Sequence, residues 1–144
     1  MYVKQLSVFV ENKFGRISEI ISALAENSID ISALSLADTS EFGILRLIVD
    51  KPELAVDVLK EEGVIVKLSD VLAIAIDDAP GGFAKGLKAL TDNGIEIKYM
   101  YACISHEKGK ALMILSVDDP EKADALIAAT DAGKVNPSEI YRHI

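Results

Sequence analysis

The sequence predicts an α+β fold written twice: two βαββαβ repeats, each an antiparallel sheet with its helices on one face. Three observations carry this. Stretches of alternating apolar residues switch to a helical period and back in the order βαββαβ. The same order then runs again to the end of the chain. Individual residues also recur at matched positions: Leu6, Gly15, Ala23, Leu24, Asn27, Ile29 and Ile31 return as Leu72, Gly81, Ala89, Leu90, Asn93, Ile95 and Ile97.

Residues 4–10, KQLSVFV, alternate and are rich in strand formers. ENKFG breaks the alternation. From Arg16, Ile17, Ile20, Ile21 and Leu24 fall on one helical face. ENS closes that helix, IDISALSLA returns to strand, DTSEF turns, and GILRLIVD is apolar enough for a central strand. KPELAVDVLKEEG opens on proline and ends on glycine, the expected asymmetry of a helix. VIVKL is the fourth strand and runs without a linker into VLAIAID, the first strand of the second copy. There DAPGG is the loop, and Phe83, Leu87 and Leu90 mark the helix stripe. GIEIKYMYACI and KALMILSVD are strands around the polar SHEKG, and DPEKADALIAATDAG is a helix. VNPSEIYRHI reads as a last strand, at an edge because of its proline. Asp50 and Pro52 recur as Asp118 and Pro120 after a slightly longer turn. This order is the ferredoxin-like split βαβ arrangement, with domains expected at 1–70 and 71–144.

Composition bounds the function. The chain of 144 residues is half apolar and carries a net charge of −8. Residues 1–72 hold 7 basic and 12 acidic groups, and residues 73–144 hold 8 and 11, so neither half is a basic arm. Such a surface repels phosphate backbones and anionic membranes, which argues against nucleic-acid binding. The single cysteine, Cys103, excludes an intramolecular disulfide and reads as a small buried residue. The N-terminal MYVKQLSVFVENK lacks the layout of a signal peptide. Aliphatic runs reach about six residues, against the roughly 20 that a membrane span requires. A cytoplasmic location is expected.

No catalytic constellation stands out. His106 and His143 are far apart in sequence, and no Cys/His cluster has metal-ligand spacing. Neither a phosphate loop nor a nucleophile elbow occurs. Asp77–Asp78 and Asp118–Asp119 read as solvated caps, and Tyr99 and Tyr101 share one strand face as core or interface residues. No metal or cofactor is expected.

The loop between first strand and first helix is the position of interest. Its copies are ENKFGRI (residues 11–17) and DDAPGGF (residues 77–83). A helix start offers unpaired N–H groups and a partial positive charge, and a glycine there admits a ligand close to the backbone. Asn12 or Asp78 could cap the helix or meet an ammonium group. The polar–polar–x–Pro–Gly–x–aliphatic loop after a strand, followed by an amphipathic helix and I-x-I, resembles the ACT domain. DDAPGGF fits that pattern with Phe83 at the aliphatic position. ENKFGRI is similar to the Glu–Asn–Arg–Pro–Gly loop of serine-responsive ACT domains and departs from it at Phe14.

The resemblance implies a non-catalytic regulatory module that binds an amino acid. ACT domains pair side by side, with the ligand at the interface of two repeats. Carried onto this sequence, the first loop would supply Asn12, Phe14, Gly15, Arg16 and Ile17. The second would supply Asp78, Pro80, Gly81, Gly82 and Phe83, and the strand starts Asp30 and Glu96, where serine-responsive domains carry asparagine. Asn12, Lys13 and Arg16 are expected to face the solvent of one site, against Asp77 and Asp78 in the other. The signal would pass to a biosynthetic enzyme, to another effector, or through pairing of two copies as a homodimer. Two other readings stay open. An acylphosphatase-like hydrolase would need a phosphate-cradling arginine, for which Arg16 could serve although its counterpart is Gly82. A purely structural interaction module would bind no small molecule.

Overall fold

The structure, a computed structural model, describes residues 1–38, 41–104 and 108–141. These fold into two compact units. The repeat-1 unit comprises Lys4–Ser69 together with Ile140 and Tyr141, and the repeat-2 unit comprises Met1–Val3 and Asp70–Glu139.

In the repeat-1 unit β1 (Tyr2–Glu11) leads to α1 (Arg16–Glu26), β2 (Ile31–Asp38), β3 (Phe42–Val49), α2 (Pro52–Glu61) and the start of β4 (Ile65–Asp77). Strand order is β2-β3-β1-β4, the ferredoxin-like arrangement. β1 and β3 are antiparallel with Leu6 opposite Leu47 and Glu11 opposite Phe42. Period-two alternation sends Leu6, Val8 and Val10 to one face, where Leu45, Leu47 and Val49 of β3 join them. α1 lays Ile20 and Leu24 on that face, and α2 lays Ala55 and Leu59. Burying each such leucine or isoleucine contributes roughly 1.5–3 kcal/mol.

The repeat-2 unit uses the same plan. The later residues of β4 are followed by α3 (Gly82–Thr91), β5 (Ile97–Ala102), β6 (Lys110–Val117) and α4 (Pro120–Ala128). β6 pairs antiparallel with both β4 and β5. The core holds Leu72, Ile74 and Ile76 of β4, Leu115 and Val117 of β6, Leu90 of α3, and Ala123 and Ile127 of α4. Cys103 is buried as expected, and its N–H donates to the Leu112 carbonyl at 2.8 Å. Tyr99 and Tyr101 stack at 6.5 Å.

Two elements differ from the sequence reading. VIVKL and VLAIAID are one uninterrupted strand of 13 residues, β4, because Ser69–Asp70 contains neither proline nor glycine to break the extended backbone. The segment read as a last strand instead contains the short helix α5 (Pro137–Ile140). Asn136 Oδ1 accepts from the Ser138 N–H at 3.1 Å, and proline follows it at the first helical position. That is a helix start, and it outcompetes the extended alternative. Residues 142–144 lie outside the described residues. On β4 the Ala73 N–H donates to the Met1 carbonyl at 2.8 Å, so the chain's first residues bond to this strand of the repeat-2 unit. In the repeat-1 unit, the Ser32 hydroxyl on β2 donates to the Ile140 carbonyl.

Structure explains the repeated polar residues. Asn27 and Asn93 end the first helix of each repeat, their side-chain amides donating to Ala23 at 2.9 Å and Ala89 at 2.7 Å. Asp50 and Asp118 end the third strand of each repeat and clamp the start of the second. The Asp50 carboxylate accepts from the Asp30 N–H at 2.9 Å, while its own N–H donates to the Asp30 carbonyl at 3.1 Å. Asp118 and Glu96 repeat both bonds at 3.0 and 3.1 Å. Asp119 caps α4 by accepting from the Lys122 N–H at 3.2 Å.

Asp50 is buried and Asp118 exposed, so water can replace one clamp and not the other. Asp50→Ala is expected to cost about 1–3 kcal/mol through the orphaned Asp30 N–H. Asp118→Ala is expected to cost under about 1 kcal/mol. Urea unfolding of both variants checks this, and equal losses would contradict it.

Candidate functional site

The two first loops match bond for bond. Gly15 has φ 80° and ψ −6°, and Gly81 has φ 80° and ψ −4°. This left-handed conformation strains any residue with a Cβ. The Lys13 N–H donates to Glu11, Arg16 to Lys13, and Glu19 to Gly15; Ala79, Gly82 and Lys85 repeat these bonds to Asp77, Ala79 and Gly81. A Cβ on Gly15 or Gly81 would meet nothing within 4 Å. Glycine is therefore required here by the turn, and the space over it is open. The next N–H groups, at the start of each helix, have no earlier helical carbonyl to reach.

Several expected site residues sit otherwise than their sequence suggests. Neither Asn12 nor Asp78 caps a helix, since Gly15 and Gly81 are the capping residues and receive no side-chain bond. The Asn12 and Asp78 N–H groups instead donate to Glu41 at 3.3 Å and Gly109 at 3.0 Å, and both side chains are exposed. Arg16 is not turned to solvent. Its Nη2 donates to the Glu62 carbonyl at 2.6 Å and its Nη1 to Glu19 Oε2 at 3.0 Å. Phe14 and Pro80 are exposed, Phe83 is 43% exposed, and Ile17 packs against the core. Gly82 is buried, and a Cβ there would stand 1.9 Å from the Asp77 carbonyl oxygen.

Within its own unit, Asp30 lies far from its loop. β3 places Phe42 opposite Glu11 and Val49 opposite Ile31, and seven residues of strand span roughly 23 Å. Glu96 is related to its loop in the same way, since Lys110 faces Asp77 and Val117 faces Ile97. No unit brings its strand start to its own loop.

Each loop borders open cavities. In the repeat-1 unit one of about 220 Å³ is bordered by Asn12, Lys13, Ile17, Leu36 and Asp38, and another of about 370 Å³ by Glu11, Lys13, Arg16, Phe42 and Gly63. In the repeat-2 unit about 260 Å³ is bordered by Asp77, Gly82, Lys85, Lys110, Thr130 and Asp131. Sites for larger ligands run to roughly 300–1,000 Å³. The repeat-2 cavity is rich in charge of both signs. Asp77 pairs with Lys110, whose hydrogen bond and charge hold its carboxyl below the usual range. Asp131 pairs with Lys134 at 2.8 Å, and that bond lowers its carboxyl likewise. Lys85 and Lys110 add favourable charge to both carboxylates. Lys85, Lys110, Thr130 and Asp131 are missing from the sequence-based set. Comparing the copies position by position would have exposed them, because Lys85 stands where Glu19 does and Lys110 where Phe42 does.

Among the described residues no group of three His, Cys, Asp or Glu could hold a metal ion; His106 and His143 lie outside them. No helix among them is long and apolar enough to cross a membrane.

Comparison with known proteins agrees with this architecture. Among solved structures, protein BT0572 from Bacteroides thetaiotaomicron is similar, with a TM-score of 0.83 and 35% identity over 94% of this chain and 98% of that one. The regulatory subunit of aspartate kinase from Thermus thermophilus, in a ligand-free form, has a TM-score of 0.69 and 18% identity, covering 92% and 93%. Its counterpart from Thermus flavus has a TM-score of 0.63 and 18% identity, covering 89% of each chain. At that identity the two subunits share the fold alone. No match was found among proteins of curated function. The sequence pattern of the ACT domain pair matches residues 1–142, and the chain belongs to that family.

Proposed function

We propose that this protein is a non-catalytic sensor that binds a free amino acid beside a first strand–helix loop and passes that state to a partner protein. The observation that carries the reading is the loop itself. A left-handed glycine opens a helix over open space, beside a small cavity lined by charged groups, and the arrangement occurs twice with the same backbone bonds.

The chemistry suits a zwitterion. An amino acid carries opposite charges about 3 Å apart, so it needs donors and acceptors together in a confined space. Helix N–H groups and lysines supply donors; carboxylates and carbonyls supply acceptors. Binding moves a conformational or docking equilibrium only by the difference in affinity between its two states. A tenfold difference is worth about 1.4 kcal/mol, enough to alter a marginal docking surface. The Thermus subunits are named as regulatory subunits of aspartate kinase, and by likeness of fold an amino-acid biosynthetic enzyme is the partner we favour here. A hydrolase reading is disfavoured by Arg16, the one arginine of the loops, which is engaged with Glu62 and Glu19 instead of standing over an anion site.

A thermal-shift screen of the full chain against the twenty amino acids tests this. A ligand at 100 times its Kd should add about 2.7 kcal/mol, which for a chain of this size raises Tm by roughly 5–10 °C. A flat response to all twenty at millimolar concentration would contradict it.

A further inference from the structure

We propose that the Asn93–Gly94 peptide is a site of spontaneous chemical modification, where the asparagine loses ammonia through a cyclic imide and becomes aspartate or isoaspartate, at a rate set by the turn that holds it. The inference goes beyond the sensor reading and does not depend on it.

The duplicated chain carries its own control. The first helix of each repeat ends in the same turn. Asn27, Ser28 and Ile29 donate their N–H groups to the carbonyls of Leu24 at 3.1 Å, Ala25 at 3.0 Å and Leu24 at 3.1 Å. Asn93, Gly94 and Ile95 donate theirs to Leu90 at 3.1 Å, Thr91 at 3.2 Å and Leu90 at 3.0 Å. Both turns pass through a left-handed residue, Ser28 at φ 56° and Gly94 at φ 76°, a common way for a helix to close its last carbonyls. Both asparagines and the residues after them are exposed. The nitrogen that follows Asn27 belongs to a serine, and the one that follows Asn93 belongs to a glycine.

That nitrogen is the nucleophile. The Gly94 nitrogen attacks Asn93 Cγ and a bond forms between them. The Cγ–Nδ2 bond breaks, and ammonia leaves carrying the proton of the Gly94 N–H. Water then opens the cyclic imide. Opening at Cγ gives aspartate. Opening at the main-chain carbonyl gives isoaspartate, in which the backbone runs through the former side chain. A glycine nitrogen has no Cβ beside it to crowd the attack, and its backbone turns freely into the ring. Ser28 brings a Cβ to the same approach. Of the other asparagines, Asn136 precedes Pro137, whose nitrogen has no proton to lose, and Asn12 precedes Lys13, which also carries a Cβ.

The fold sets the pace. The Asn93 side-chain amide is held back along the helix by the Ala89 carbonyl at 2.7 Å, and the Gly94 N–H is held by Thr91. Both bonds must open before Cγ and the nitrogen meet. They belong to the exposed turn that ends α3, and such helix ends open at far lower cost than a core. The product changes that turn. A carboxylate cannot donate to the Ala89 carbonyl, and its charge sits at the helix end that disfavours an anion. In isoaspartate the carbonyl that accepts from Lys122 Nζ at 2.9 Å becomes a free carboxylate. The lengthened backbone then alters the link from α3 to Glu96, whose N–H donates to Asp118.

Peptide mapping by mass spectrometry, on the full chain aged at mildly alkaline pH, tests this. Asn93 should convert about tenfold or more faster than Asn27, because only Asn93 is followed by a residue without a Cβ. Aged in denaturing guanidinium, the chain should convert at Asn93 faster still. Exchanging the following residues should move the site: Gly94→Ser should bring Asn93 down to the Asn27 rate, and Ser28→Gly should raise Asn27 toward the Asn93 rate. Serine already occupies this turn in the repeat-1 unit, and glycine is at ease at a positive φ, so both variants are expected to fold. Equal conversion at Asn27 and Asn93 in the native chain, a site that does not follow the glycine, or equal rates in buffer and in guanidinium would each overturn the proposal.

Discussion

Two glycines held at φ near +80° set the layout of each repeat. Gly15 and Gly81 let the chain leave the last residue of a strand and enter a helix within four residues. A β-carbon at either position would strain the turn. Because the reversal is so tight, the helix start stands at the end of the sheet, beside the strand that precedes it and the turn that leads into the third strand. The bonds from Asn12 to Glu41 and from Asp78 to Gly109 fix that second neighbour. The rest of each unit follows: the helix stripe falls on the sheet face that carries the core leucines and isoleucines, and the aspartate clamp closes the far end.

The same frame has been filled differently. In the repeat-1 unit the first helical residue is an arginine that reaches across to the end of α2 and ties the two helices together. In the repeat-2 unit the equivalent residue is a glycine packed on a carbonyl, and the space is bounded by charged side chains. The arginine stabilises one unit by satisfying a helix-end carbonyl. Its absence from the other gives up that bond, and each unit keeps a cavity at this place, of about 370 Å³ beside Arg16 and about 260 Å³ beside Gly82.

Much of this was legible in the residues. Alternation and helical period located the strands and the four main helices, and the matched glycines and prolines marked the helix starts. What escaped depends on contacts that periodicity does not encode. The helix at Pro137 was hidden because Asn136–Pro137 reads equally as an edge strand or as a capped helix start, and only the Asn136–Ser138 bond decides. Arg16 looked solvent-facing because its partner, Glu62, lies 46 residues away. Gly82 was legible as a glycine of the loop, but the Asp77 carbonyl that demands its size was not. Lys85 and Asp131 come from a helix and from the turn after another, outside the loop motif on which the sequence reading concentrated. The Asp50 clamp was visible as a repeated residue, but its role needed the third strand's end to be set beside the second strand's start.

The most direct measurement is a crystal structure of the full chain grown with the amino acid that most raises its melting temperature. The account predicts electron density for that molecule beside a first strand–helix loop, with one of its charged groups within about 3 Å of the helix start that Gly15 or Gly81 opens. Density for the amino acid elsewhere on the chain, with both loops holding only water, would contradict it.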